Sequence, residues 1–457
     1  MTAAVSIDPH TGQPIADHPY LDDHAALARL AAADRAFVAW RETPLERRVA
    51  ALTSMAAQLR QRADRLADTM VAEMGKTLRE AHAEVEKCAR LCEWYAEHGP
   101  AMLADEPAPG LEGKAWIAYR PLGTVLAVMP WNFPLWQAMR NAVPILLSGN
   151  AYLLKPAPSV VGSATELAEA WRAAGLAEGL FELVNVEPGQ VGMLIDDPRV
   201  RAVAVTASVR AGSQIAARAG AALKKSVLEL GGSDPFVVLA DADLDAAVEA
   251  AVQARFANAG QVCVAAKRII VEAALMPAFR ERFLARAGAL KVGDPRDPAT
   301  DIGPMARRDL RDELHGQVEK SIAQGARLLL GGEPLPGPGN HYPVTVLDGV
   351  TPTMVAFEEE TFGPLAALIE ARDAEHAIEL ANDSRFGLSG ALWSADVERA
   401  KRLAARFESG GVFINGSTTS DPRVPIGGVK MSGYGRELSH FGIREFCNPQ
   451  TVWLDRR

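Results

Sequence analysis

Short apolar segments alternate with helical patterns between residues 123 and 230, and this alternation constrains the fold more than any other feature. The apolar segments lie at 125–129, 151–154, 181–186, 200–205 and 227–230. The helical patterns between them lie at 135–147, 160–174, 190–195 and 209–219. Strands that are apolar on both faces are typical of a parallel sheet covered by helices on both sides. The segment is therefore predicted to be an α/β, Rossmann-like nucleotide-binding domain, although it has no glycine-rich G-x-G-x-x-G turn.

A second alternating block extends from residue 235 to about residue 425. Its strand candidates are 235–239, 268–271, 327–330, 366–370, 390–393 and 412–415. The first hundred residues show helical patterns instead, with a predicted capping box at Thr43-Pro44-Leu45-Glu46 and an interruption at Gly75. The chain is thus predicted to contain two α/β units with a cleft between them, preceded by helices.

Cys263 follows a helical pattern that breaks at Asn258, and Gly260 frees the backbone just before it. Most intracellular cysteines are small buried hydrophobic residues. A loop or helix start is different, because backbone amides there can lower a thiol pKa and activate the sulfur as a nucleophile. Cys88 and Cys92 share a helix face but have no nearby ligands to complete a zinc site, so we expect no metal there.

Two further segments supply polar groups that suit acyl chemistry. Glu229 ends an apolar strand before Gly231 and Gly232, and burial among Val and Leu should raise its pKa. Asn132 lies in the proline-fixed turn of residues 129–134. The alternatives are a solvated carboxylate at the strand end and a turn asparagine bonded to its own backbone.

These segments resemble the aldehyde dehydrogenase superfamily, and the resemblance extends over most of the chain. Its motifs, in order, are Pro-Trp-Asn-Phe-Pro at 130–134, Lys155-Pro156, Glu229-Leu-Gly-Gly, Asn258-x-Gly-Gln-x-Cys263 and Glu359-Glu360-Thr-Phe362-Gly363-Pro364. The resemblance implies that Cys263 attacks an aldehyde to give a thiohemiacetal and then a thioester. Asn132 and the Cys263 N–H would stabilise the oxyanion, and Glu229 would activate the water that hydrolyses the thioester.

The resemblance also implies a nicotinamide cofactor, NADP or NAD. Lys155 corresponds to a lysine on the adenosine ribose, and Pro158 with Ser159 replaces a glutamate that repels a 2′-phosphate in many NAD-selective members, so NADP should be accepted. Thr206 and Ser208 precede the helix beside the pyrophosphate, where Ala207 replaces the usual glycine. The other predicted cofactor contacts are Trp131, Leu230, Gly231, Glu360 on the nicotinamide ribose, and Phe362 near the nicotinamide ring.

Succinate semialdehyde is the predicted substrate, because residues 303–315 and 437–442 resemble short bacterial succinate-semialdehyde dehydrogenases. Arg140 corresponds to a carboxylate-binding arginine and Ser420 to a substrate-contacting serine. A second family arginine is Ala257 here, and the sequence leaves open whether Arg255 or Arg423 replaces it. The alternatives are a dehydrogenase of broader aliphatic or aromatic aldehydes, a CoA-acylating enzyme, which has no need of Glu229, and a non-catalytic protein on the same scaffold.

The domain boundaries and partners complete the prediction. Residues 1–103 and 123–230 are predicted to form the cofactor-binding domain, 231–425 the catalytic domain, and 426–445 a segment that returns to the cofactor domain. Residues 104–122 and 446–457 would form a small β oligomerisation arm of a homodimer or homotetramer. The net charge of −9 argues against nucleic acid or anionic membrane as partners. With four cysteines, no long apolar run and no signal-like start, the sequence predicts a cytoplasmic protein.

Overall fold

The computed structural model describes residues 3–455, so the terminal residues 1, 2, 456 and 457 of two predicted segments lie outside it. Its strands, numbered along the chain, are β1 (Ala3–Ile7), β2 (Pro14–Pro19), β3 (Glu106–Pro107), β4 (Ala115–Pro121), β5 (Thr124–Val128), β6 (Ala151–Lys155), β7 (Phe181–Leu183), β8 (Val200–Thr206), β9 (Lys225–Glu229), β10 (Asp234–Val238), β11 (Ala266–Glu272), β12 (Arg327–Leu330), β13 (Thr345–Asp348), β14 (Leu365–Ala371), β15 (Phe386–Gly387), β16 (Gly390–Trp393), β17 (Val412–Ile414), β18 (Val429–Lys430), β19 (Gly433–Tyr434) and β20 (Cys447–Trp453).

The helices, also numbered along the chain, surround these strands. They are α1 (Asp23–Trp40), α2 (Leu45–Gln61), α3 (Ala63–Met74), α4 (Leu78–Met102), α5 (Trp136–Leu147), α6 (Val161–Ala173), α7 (Val191–Asp196), α8 (Val209–Ala221), α9 (Leu244–Phe256), α10 (Met276–Gly288), α11 (Arg308–Ala323), α12 (Val355–Glu358), α13 (Ala374–Asn382), α14 (Val397–Ala404) and α15 (Ser439–Glu445). Within residues 3–455, none of them is long and apolar enough to cross a membrane.

The predicted Rossmann-like unit is a six-stranded sheet of order β19-β9-β8-β5-β6-β7. Strands β5 to β9 are parallel to one another, and β19 adds an antiparallel edge against β9. Separate hydrophobic clusters cover its two faces, as continuous apolar strands require. The α/β prediction is confirmed for this block, with strand ends within a few residues of the expected positions.

The second block forms a seven-stranded sheet of order β12-β13-β14-β11-β10-β16-β17. All neighbours are parallel except β12, which pairs antiparallel with β13. Each of the six strand candidates is found as a strand, but the sequence reading missed β13.

Two local predictions for the first hundred residues were wrong. Residues 3–19 form the antiparallel pair β1–β2 rather than a helix, and the burial of β1 alternates with a period of two residues. Thr43 caps no helix, because Pro44 occupies the N-cap position of α2 and the Thr43 hydroxyl donates to the Ala39 carbonyl instead. The capping box lies at Thr77 and Glu80, at the start of α4.

A third sheet joins distant parts of the chain. β20 pairs antiparallel along the whole of β4, and β3 pairs with the other edge of β4. These strands come from the two segments predicted to form an oligomerisation arm. The boundaries of the domains and the role of this arm stay predictions.

We expect Thr77→Ala to lower the free energy of unfolding by about 1 kcal/mol, because the Thr77 hydroxyl accepts from the Glu80 N–H at the start of α4. Thr43→Ala is the matched control and should change it by less than about 0.5 kcal/mol, since Thr43 lies outside α2. Urea unfolding followed by circular dichroism measures both. Equal losses in the two variants would contradict this assignment of the cap.

Candidate active site

A cleft of about 260 Å³ opens where the carboxyl ends of β5, β8 and β9 face segments of the second block. Crevices at this end of a parallel sheet commonly bind ligands. Cys263 and Asn132 both line it, with seven of the ten residues predicted to contact the cofactor. Those seven are Trp131, Thr206, Ser208, Leu230, Gly231, Glu360 and Phe362.

The loop before Cys263 has an unusual backbone. Asn258, Ala259 and Gly260 all have positive φ, of 54°, 54° and 70°. The Asn258 side-chain amide donates to the carbonyls of Asn132 and Gln261, which ties this turn to the Asn132 turn. Left-handed residues other than glycine cost free energy and persist where the surroundings fix them, often at functional sites.

The thiol of Cys263 is half-buried, and its pKa differs from the sequence prediction. Burial raises the pKa to about 11, while the nearby cations of Arg140 and Lys267 act to lower it. The prediction of a lowered pKa was therefore wrong for the free protein, because the loss of hydration outweighs the nearby positive charge. A protonated thiol needs a base to remove its proton before it attacks.

Arg255, one of two suggested replacements for the arginine absent at Ala257, has a structural role. Its guanidinium is fully buried and donates to the carbonyls of Gly260, Thr361, Gly363 and Leu365. These bonds join the loop before Cys263 to the segment that carries Glu360 and Phe362. The Arg255 guanidinium is therefore bonded to backbone carbonyls.

Arg423, the other suggested replacement, lies on the surface. Its side chain is 75% exposed and ion-paired with Asp421, two residues before it. Ala257 itself is exposed. The structure therefore places neither arginine at the missing position.

The side chain of Asn132 is buried and points at the nucleophile loop. Its Nδ2 donates to the Gln261 carbonyl at 3.0 Å. An amide nitrogen carries two N–H groups, so one remains for a ligand beside Cys263. Asn132 is bound to the loop rather than to its own turn, which disfavours the alternative of a self-bonded turn residue.

Glu229 is 2% exposed at the end of β9, and its predicted raised pKa is confirmed. Burial is the main cause that raises the pKa to about 8; the neighbouring Glu437 carboxylate acts in the same direction, and Arg140 opposes both. Within residues 3–455 its Oε1 is buried without a hydrogen-bond partner. A buried, unpaired acceptor calls for a water or a ligand.

Arg140 is buried on α5 and forms an ion pair with Glu437, a residue to which the sequence analysis gave no role. Asn141 binds the other oxygen of this carboxylate at 2.8 Å. The Arg140 charge acts on both Cys263 and Glu229. Arg140 thus lies close to the reacting groups, but with an internal partner already in place.

The cofactor side of the cleft is shaped by close backbone approach. A Cβ on Gly231 would lie 2.4 Å from a Glu360 oxygen, so a larger residue there would displace that carboxylate. Glu360 accepts from the Gly232 N–H at 3.0 Å and from Lys267 at 3.1 Å. The Phe362 and Trp131 rings meet edge to face, 5.7 Å apart.

Lys155 is the last residue of β6, and Pro158 and Ser159 follow it; none of the three is among the residues that line the 260 Å³ cleft. Burial lowers the pKa of Lys155 to about 8, and its ammonium donates to the Pro156 carbonyl. The Ser159 hydroxyl is a buried group without a hydrogen-bond partner among residues 3–455. A lysine, an unpaired hydroxyl and no carboxylate at position 158 fit a phosphorylated ribose.

Ser420 lies far along the chain from the other site residues, and its hydroxyl accepts from Lys87 at 2.9 Å. Lys87 is on α4, and no sequence pattern singled it out. For the described part of the chain, no three His, Cys, Asp or Glu side chains are grouped as a metal ion would require.

Comparison with known proteins gives consistent matches over the whole chain. A model of the aldehyde dehydrogenase family matches residues 2–452. The NAD(P)+ succinate semialdehyde dehydrogenase Sad of Escherichia coli (strain K12) is 58% identical over 457 residues, 100% of this chain and 98% of that protein. The NADP+ succinate-semialdehyde dehydrogenase of Mycolicibacterium paratuberculosis is 47% identical, over 98% of this chain and 96% of that one.

The fold also matches a solved structure. The crystal structure of succinic semialdehyde dehydrogenase from Streptococcus pyogenes in complex with NADP+ superposes with a TM-score of 0.97. The two sequences are 37% identical, and the match covers 99% of this chain and 100% of that chain. The fold prediction is confirmed.

We expect alkylation of Cys263 by iodoacetamide in the native protein to speed up about tenfold per pH unit from pH 7 to pH 10, because its pKa is about 11. Mass spectrometry of the Cys263 peptide measures the rate. Cys88, Cys92 and Cys447 are buried, so Cys263→Ala should remove the reaction and is the control. A plateau by pH 8.5 would show that the thiol has an ordinary or lowered pKa.

Proposed function

Because the chain belongs to the aldehyde dehydrogenase family, we propose that it oxidises succinate semialdehyde to succinate, with NADP or NAD as cofactor. The observation that carries the proposal is the joint placement of Cys263 and Asn132 in one cleft, with the charge of Glu229 acting on the thiol. The relatives described above carry this activity in their names, and they match the chain from end to end.

In the first step Cys263 loses its proton and its sulfur attacks the aldehyde carbon. Ionised Glu229, with a pKa of about 8, is the nearby base that can take this proton. A C–S bond forms, the carbonyl π bond breaks, and the oxygen becomes an oxyanion. The free N–H of Asn132 and the backbone N–H of Cys263 are its donors, and losing one such donor typically costs about 3–4 kcal/mol in the transition state.

NADP or NAD, when bound, supplies the hydride acceptor that turns the thiohemiacetal into a thioester. Glu229 releases the proton it took from the thiol to solvent and, ionised again, removes a proton from water; the resulting hydroxide attacks the thioester carbonyl. The C–S bond breaks, Cys263 is released, and succinate leaves. The unpaired Glu229 oxygen is the acceptor available for that water. Presence of this base disfavours the CoA-acylating alternative, in which a thiol takes the acyl group.

We propose Arg140 and Ser420 as substrate-binding residues, but the Arg140–Glu437 ion pair supports a second candidate. An arginine already neutralised by Glu437 gives little selectivity for a carboxylate. In that case the enzyme would oxidise broader aliphatic or aromatic aldehydes, with Arg140 serving only the internal ion pair.

We propose a cytoplasmic homo-oligomer in which the sheet β20-β4-β3 is the assembly arm. Trp453 and Leu454 are 51% and 40% exposed at the end of β20, and exposed apolar side chains on a sheet edge favour pairing with another copy. All four cysteines are free thiols, which is typical of reducing compartments. The domain boundaries given above are proposed as they stand.

The substrate test compares kcat/KM for succinate semialdehyde with that for butanal. Arg140→Met alone would leave Glu437 buried and unpaired, so the test variant is Arg140→Met with Glu437→Gln. We expect it to lose the preference for the carboxylate substrate by about tenfold to a thousandfold. Glu437→Gln alone keeps Arg140 and is the matched control, which should retain the preference.

The outcomes separate the two candidates. A wild-type preference that survives in the double variant would assign the carboxylate contact elsewhere and leave Arg140 a structural residue. If the wild type shows no preference, the enzyme is a dehydrogenase of broader specificity.

The cofactor proposal is tested by Pro158→Glu, with Pro158→Gln as an uncharged control of similar size. A carboxylate at position 158 should repel a 2′-phosphate and lower kcat/KM for NADP at least about tenfold, while NAD changes less than about threefold. Initial rates at saturating aldehyde measure both. Equal effects on the two cofactors would place position 158 away from the 2′-phosphate.

A further inference from the structure

Lys87 is a half-buried cation without a counter-ion. It lies in the middle of α4, where its Nζ donates to the Ser420 hydroxyl at 2.9 Å and stands 4.1 Å from the centre of the Trp136 ring. Among residues 3–455, no carboxylate oxygen lies within ion-pairing distance of it. A cation taken out of water normally acquires a charged partner.

The carboxylates whose charges act on the pKa of Lys87 are paired with other cations. Glu84 is ion-paired with Lys76 and accepts from the backbone at the start of α5. Asp421 is paired with Arg423. Neither is placed to neutralise Lys87, so the region around Ser420 has an uncompensated positive charge.

A second cation lies beside Lys87. Burial, and then the charge of Arg140, lower the pKa of Lys87 to about 8. Arg140 is four residues after Trp136 on α5, so these two side chains share a helix face. The charge of Arg140 also acts on Cys263. The Trp136 ring, which lies against the Lys87 ammonium, therefore places Lys87 beside the helix face that carries Arg140.

These relations match the needs of a substrate with an aldehyde at one end and a carboxylate at the other. The aldehyde carbon must reach Cys263. The carboxylate at the other end of the substrate then needs a cation and a hydroxyl to bind it, at a distance from the thiol. Arg140 is already paired with Glu437, whereas Lys87 is not paired and is already bonded to Ser420.

We propose that Lys87 is the counter-ion of the substrate's remote carboxylate, acting with Ser420, and that it supplies the second cation missing at Ala257. The inference rests on the proposed function, because it presumes a substrate with a remote carboxylate. The Trp136 ring beneath the ammonium holds it in place through a cation–π contact, so the site is formed before the substrate binds.

The test uses the full-length enzyme with succinate semialdehyde and butanal as substrates. We expect Lys87→Met to raise KM for succinate semialdehyde at least about tenfold while kcat and KM for butanal stay within about twofold. Lys87→Gln, which keeps a donor for Ser420 without the charge, should behave in the same way. Lys87→Arg should restore most of the preference. A general structural defect would lower butanal turnover as well.

Arg90→Met is the matched control, because Arg90 is an exposed cation on the same helix, paired with Glu86, outside the site. It should leave both substrates unchanged. Inhibition by succinate adds a binding readout, and its inhibition constant should rise at least about tenfold in Lys87→Met.

Failure of this inference is distinguishable from failure of the proposed function. A wild type that prefers succinate semialdehyde, together with a Lys87→Met variant that keeps the preference and the succinate inhibition, overturns the role of Lys87 alone. A wild type that oxidises both aldehydes equally overturns the proposed substrate, and the role of Lys87 with it.

Discussion

The geometry of the site depends on the contacts of one buried carboxylate, that of Glu84. It pairs with Lys76 and accepts from the N–H groups of Leu135 and Trp136 at 2.9 and 2.8 Å. These N–H groups open α5 and have no partner within the helix. Breaking a buried ion pair typically costs about 3–5 kcal/mol, so this contact fixes α5 firmly. Asn132 immediately precedes the anchored turn.

Residues of the same face of α4 fix the rest of the site. Glu80, one turn before Glu84, accepts from the Asn258 N–H at 2.6 Å, and Lys87 reaches Ser420. The spacing of four and then three residues places all three on one face of the helix. One rigid helix therefore sets the position of the oxyanion donor, of the strained turn before Cys263, and of the Ser420 segment. From the opposite side, Arg255 ties that turn to the segment of Glu360.

The sequence was sufficient for the two large sheets and for the residues that share the cleft, because both depend on local patterns. Continuous apolar strands marked β5, β6, β8 and β9, and short motifs marked Cys263, Asn132 and Glu229. Contacts between distant residues were not predictable in this way. The partner of Arg140 is Glu437, about 300 residues away in the sequence. The residues next to Glu437 and next to Lys87 in the sequence do not indicate which side chains these two contact. The hairpin β1–β2 had no local signal, because its buried residues are the small Ala4 and Ser6 whereas the apolar Val5 and Ile7 are exposed.

The pKa of Cys263 illustrates a different limit. Its position in a loop after a glycine suggested a lowered pKa, and the cations Arg140 and Lys267 do act in that direction. Their effect is smaller than the cost of burying a thiolate, and burial is a property of the folded chain rather than of any motif.

Burial raises the pKa of both Cys263 and Glu229, so at neutral pH the free protein keeps most of its thiol and most of this carboxyl protonated. A protonated thiol is a poor target for oxidants, because oxidation follows thiolate character. Glu229 can act as a base only in its ionised form; burial raises its pKa most, and Glu437 and Arg140 then act on that pKa in opposite directions. The buried ion pair beside the base thus contributes to the reactivity of the nucleophile, although neither of its members is part of a catalytic motif.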